Sequence, residues 1–158
     1  MTQIRKKITE LDPARRPLRF ALSYVLVLTV VNLVWEIAQL PLYTLWTEAS
    51  LAEKTFAILH CTIGDGLIGS ATLALARLAF GGRRWPAQHY WRVALAATLL
   101  GIAYLIFSEW LNVSLRGNWA YRDAMPTVGP LATGLAPLLQ WVILPPLVFL
   151  LKRKVRLF

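Results

Sequence analysis

The stretch that decides the fold is Phe20–Leu40, FALSYVLVLTVVNLVWEIAQL. It carries no charge until Glu36 and is about the length a helix needs to cross a hydrocarbon layer of roughly 30 Å. Working outward, three more apolar stretches follow, over residues 56–80, 91–110 and 130–151. A soluble domain of 158 residues, 57% hydrophobic and only 16% charged, could not bury so much apolar surface in one core. The pattern predicts an all-α integral membrane protein, a four-helix transmembrane bundle forming a single domain over residues 1–158.

Charge placement gives the expected orientation. Fourteen of the 17 Lys and Arg residues lie in the N-terminal tail, in the connection after the second span (Arg77, Arg83, Arg84, Arg92) and in the C-terminal tail. Glu36, Glu48, Glu53, Asp65, Glu109 and Asp123 fall in the other half, so the two sides carry about +12 and −3. Four spans return the chain to its starting side, and the basic side is expected to be cytoplasmic. A bacterial inner (plasma) membrane with both termini inside is therefore the expected location. The basic segments match anionic headgroups, so nucleic acid is not needed to explain the net charge of +9. The first run is longer than a signal-peptide core and lacks an A-x-A site, which reads as a retained span. Cys61 is the one cysteine, and no Cys-x-x-Cys motif exists.

Between spans, Leu42–Thr55 is amphipathic and suits a short helix lying in the interface, with Trp35, Tyr43 and Trp46 at an aromatic belt. Pro13 and Pro17 discourage a continuous helix in the N-terminal tail. Gly66, Ser70 and Ala74 recur every four positions, a small-residue face for close helix packing or for contact with a second copy or a larger complex. Pro137, Pro145 and Pro146 in the fourth span are tolerated where neighbours satisfy the freed carbonyls.

Ionisable groups within a span are functional candidates by default. Counting at 1.5 Å per residue puts Glu36 and Glu109 near the outer ends of their helices and Asp65 roughly 13 Å into the second span. His60 precedes Asp65 by five residues, a turn of about 140°, so the two are not expected to grasp one small ion. Glu36, Gln39 and Tyr43 share a three-then-four spacing, as do Glu109, Asn112 and Arg116. Two such stripes facing inward would form a mouth holding carboxylates, amides and a cation. The plainer alternative is a solvated rim in which Arg116 neutralises Glu109. Asn118 and Trp119 are placed to cover this mouth, with Trp119 equally suited to interface anchoring. Gln140 is a further polar group within the fourth span, and Trp141 reads as helix packing.

These residues support several classes of function. In the first, a small intramembrane enzyme acts on a lipid or isoprenoid substrate by acid–base chemistry at the extracytoplasmic side. Glu36, His60, Asp65 and Glu109 are its candidate catalytic groups, with Gln39, Asn112, Arg116, Asn118 and Trp119 binding substrate. In the second, the cluster binds a quinone, pigment or lipid without turnover, in an accessory subunit of a larger membrane complex. A transporter using Asp65 would need polar residues along the whole path, and the inner halves of the spans are nearly free of them. No His-Glu-x-x-His, nucleotide-binding glycine loop, haem motif or nucleophile elbow is present, so no cofactor or metal is assigned.

Overall fold

In the computed structural model, residues 16–155 are described. The basic tail residues Arg5, Lys6, Lys7, Arg15 and Arg156, and Pro13, lie outside them. The elements are α1 (Arg16–Gln39), a 3-10 turn (Leu40–Leu42), α2 (Leu45–Glu48), α3 (Leu51–Phe80), α4 (Tyr90–Glu109), a π-helical extension (Trp110–Leu115), β1 (Thr127–Val128), β2 (Thr133–Gly134) and α5 (Leu135–Val155). The helices α1, α3, α4 and α5 are long and apolar enough to cross a membrane. The chain is an integral membrane protein.

The spans differ from the sequence reading at their ends, each for a local reason. α1 is described from Arg16. It gives way to the 3-10 turn one residue before Pro41 is reached. α3 starts at Leu51 rather than Phe56, because Ser50 and Glu53 form a reciprocal capping box. The interfacial helix expected over Leu42–Thr55 shrinks to the four residues of α2. The third span runs past Trp110 to Leu115 as a π helix, in which the Arg116 N–H reaches back to the Leu111 carbonyl. The fourth begins at Leu135 rather than Pro130, since Thr127–Gly134 makes a small antiparallel pair with Thr127 opposite Gly134.

Each span packs on two others, α1 on α3, α3 on α4, α4 on α5 and α5 on α1, closing a four-sided bundle. On α1, Phe20, Tyr24, Leu28 and Asn32 are buried at every fourth position, while Leu22, Leu26, Val30 and Val34 face outward at more than 50% exposure. Leaving such a stripe in water would forgo about 1.5–3 kcal/mol per side chain; lipid removes that cost. Close approach of the helices depends on glycine, most tightly at Gly69 and Gly101. A Cβ on Gly69 would fall 2.5 Å from Leu28 Cδ2 of α1, and one on Gly101 would fall 2.3 Å from Trp141 Cε3 of α5.

The two ends of the bundle differ in kind. At one end Phe20, Tyr24, Trp85, Tyr90 and Phe149 form an aromatic plug, with the Tyr90 hydroxyl donating to the Phe149 carbonyl at 2.5 Å. At the other end the segments following α1 and α4 are stitched together. The Thr44 N–H donates to the Ala120 carbonyl (3.0 Å), the Arg122 N–H to the Leu42 carbonyl (2.9 Å), and Tyr43 packs on Tyr121. That stitched end holds the polar cluster.

Candidate functional site

A cavity of about 400 Å³ opens inside the stitched end, lined by Glu36 and Gln39 of α1, Asp65 of α3, Glu109 and Asn112 of the third span, and Gln140 of α5. Four helices thus each bring a polar group to one space. Asp65 sits midway along the 30-residue α3, deeper than a helix starting at Phe56 would place it.

Gln140 is the hub. Its Nε2 donates to Asp65 Oδ2 (2.8 Å), Glu36 Oε1 (3.0 Å) and Asn32 Oδ1 (3.0 Å). Its Oε1 accepts from Gln39 Nε2 at 3.3 Å, and Gln39 Nε2 also donates to Glu36 Oε1 at 2.9 Å. The Trp35 indole N–H donates to Gln39 Oε1 at 3.2 Å. Trp141 packs α5 on α4 against Gly101. Gln140 Nε2 thus brings a carboxyl of α1 and a carboxyl of α3 to one donor.

Glu109 forms a second centre. It is buried, and its Oε2 accepts a hydrogen bond from the Tyr121 hydroxyl. That hydroxyl also accepts from the Gly134 N–H at 3.0 Å, and Gly134 lies against the Tyr121 ring where a Cβ would come 2.9 Å from Cζ. Burial holds the Tyr121 and Tyr43 hydroxyls above the ordinary tyrosine range. Trp119 stands beside Glu109 with its buried indole N–H unpartnered, rather than serving only as an interface anchor.

The remaining candidates sit around the mouth. Arg116 is exposed and lines the cavity, but does not ion-pair with Glu109, whose partner is Tyr121. The π extension explains this, because its wider turn breaks the three-then-four register that would have stacked Arg116 over Glu109. Asn112 donates to the Ser108 carbonyl at 2.8 Å and accepts from Asn118 at 2.7 Å, tying the loop to the helix end. His60 is exposed and stacked on Phe56, with ring centroids 5.5 Å apart, on the cavity's lip rather than beside Asp65. Cys61 is half-buried and also lines the cavity. Among the described residues, no three His, Cys, Asp or Glu side chains come together as a metal site.

The chain matches no protein-family model, no curated protein and no solved structure. Its chemistry is carried by its own geometry. Tyr104 lines the cavity's flank and is 47% exposed, and a Cβ on Gly64 opposite would meet open space. The flank between α3 and α4 is thus open toward the surface that faces lipid. Toward the aromatic plug, the buried Thr72 and Thr98 hydroxyls bond to carbonyls of their own helices.

Proposed function

We propose that the protein is a small intramembrane enzyme acting by acid–base chemistry on a lipid or isoprenoid substrate that enters between α3 and α4. The observation that carries this reading is the pair of carboxyls, Glu36 and Asp65, that line one cavity and share the Gln140 Nε2 donor at 3.0 and 2.8 Å. A protonated and an ionised carboxyl held side by side can give a proton to one atom of a substrate and take one from another. Gln140 orients both carboxyls from a third helix. Glu109, held by Tyr121, faces the same space and offers a second proton-transfer group. The inside of the cavity has carboxyls and amides and no cation, Arg116 and His60 being at its lip, which suits an uncharged polar end better than a phosphate. Asn112, Asn118 and Trp119 would close over that end.

In the orientation favoured by the charge asymmetry, both termini are cytoplasmic and the site is extracytoplasmic, as in a bacterial inner membrane. A role in lipid metabolism follows from the same reading.

The test uses the purified protein with a total polar-lipid and isoprenoid extract in D2O, followed by mass spectrometry. Deuterium incorporation or conversion of one lipid class is expected, falling about 10²–10⁴-fold in Asp65→Asn and Glu36→Gln. Wild-type protein that neither exchanges nor converts any lipid would sink the enzyme reading.

One observation favours a second reading, a ligand-binding accessory subunit. Glu36 and Asp65 are already well supplied with protein donors, as a rigid binding wall would be. Stoichiometric copurification with larger membrane subunits, without turnover, would select it. Of the small-residue face, Gly66 is turned inward against Thr29 of α1, which leaves Ser70 and Ala74 on the outer surface.

A further inference from the structure

A second cavity lies at the far end of the bundle, on its outer surface. It is a groove of about 620 Å³ between α1 and α3, with Leu73 as its buried floor, Leu22, Val25 and Leu26 along one wall, and Ala74 and Arg77 along the other. From Ala21 to Thr29 it follows α1 for about 12 Å along the helix axis. Its wall is mostly apolar, with Thr29 at one end and the Ser70 hydroxyl donated to the Gly66 carbonyl at 2.7 Å. Arg77 stands where the groove meets the basic end, its guanidinium 5.6 Å from the Trp85 ring centroid. That contact positions the side chain, and no carboxylate among the described residues pairs with its charge.

We propose that this groove holds an acyl chain of an anionic phospholipid whose phosphate is bound by Arg77. The charge around it selects the occupant. Arg16, Arg19, Arg77, Arg83, Arg84, Arg92, Lys152, Arg153 and Lys154 lie toward this end, and no acidic residue among the described residues accompanies them. A bound anion supplies the missing countercharge, and a basic pocket between membrane helices is a recurrent headgroup site. The shape agrees, since an apolar trough running along the helix axis from a cation at the interface matches one chain below one headgroup. A second copy of the protein fits less well. A two-fold dimer through this groove would bring two Arg77 side chains to one interface with no carboxylate between them.

The experiment is native mass spectrometry of the full chain released from nanodiscs of equal phosphatidylglycerol and phosphatidylcholine. Preferential retention of phosphatidylglycerol is expected, falling about fivefold in Arg77→Gln. Ala74→Leu, which fills the groove without changing charge, is expected to lower it as well. Arg92→Gln, at the exposed start of α4 and outside the groove, is expected to retain it. Equal retention of the two lipids, or retention untouched by Ala74→Leu, would overturn the proposal. So would a protein dimer that Ala74→Leu dissociates, because the occupant would then be a second copy. Thermal stability of each variant, measured in parallel, separates loss of the site from loss of the fold.

Discussion

The Nε2 of Gln140 lies 2.8 Å from Asp65 Oδ2, so an amide on α5 secures a carboxyl at the midpoint of α3. The same nitrogen reaches Glu36 on α1. Three helices that share no sequence neighbourhood are thereby locked at one level. Buried polar groups joined this way are costly to leave half-paired.

Gln140→Leu is accordingly expected to destabilise the bundle by about 1–3 kcal/mol, because Glu36 and Asp65 lose a donor while staying buried. The check is unfolding in mixed detergent micelles, monitored by circular dichroism. Restoring balance by adding Asp65→Leu should recover part of the loss, since removing both partners is milder than removing one. If Gln140→Leu unfolds with the wild type, the network is not a source of stability.

Glu109 and Tyr121 form a pair of the same kind between the third span and the loop that follows it. Glu109→Gln and Tyr121→Phe should each destabilise by about 1–3 kcal/mol, and the double variant should cost clearly less than the two together. A double-mutant cycle on unfolding free energy measures that coupling. Simple additivity would show that the two side chains act independently.

How much of this was legible in the sequence depends on distance along the chain. The four apolar runs fixed the count of spans, because lipid exposure leaves a continuous record in composition. Ser50 and Glu53 carried the true start of α3 in their S-x-x-E spacing, a signal that lay inside a segment assigned to the interface. Glu36, Gln39, Asp65 and Glu109 could be chosen singly, as polar groups where polarity is costly. Their partners could not. Asn32 shares the Glu36 face of α1 but gains its role only from Gln140, and the partners of Gln140 all lie in other helices. The bond from Tyr121 to Glu109 and the π-helical turn after Glu109 leave no periodicity to read.

The two buried loop tyrosines predict an alkaline sensitivity. Tyr43 and Tyr121 keep their protons in the folded chain beyond the ordinary value near 10, whereas the unfolded chain ionises there. Above pH 10 the unfolded state thus binds fewer protons than the native one, and stability falls as pH rises. The slope is about 1.4 kcal/mol per pH unit for each such tyrosine. Tyr43→Phe should leave stability at pH 7 nearly unchanged and flatten this decline. Stability curves from pH 8 to 11 would show it, and parallel curves for wild type and variant would remove Tyr43 as the cause.

Two glycines should respond in opposite directions to the same added methyl. A Cβ on Gly101 would fall 2.3 Å from Trp141 Cε3 and 2.4 Å from Cζ3, so Gly101→Ala must push α5 or the indole away. Overpacking of this kind costs about 1–3 kcal/mol. A Cβ on Gly64 meets nothing within 4 Å, and alanine is the better helix former there by up to about 1 kcal/mol. Gly64→Ala should therefore match or exceed wild-type stability. Because Gly64 lines the cavity on its open flank, that variant should instead weaken lipid retention at the site. Thermal unfolding of both variants, with native mass spectrometry of the lipids each retains, separates packing from access. A Gly64→Ala protein with unchanged stability and unchanged retention would place the entry route elsewhere than between α3 and α4.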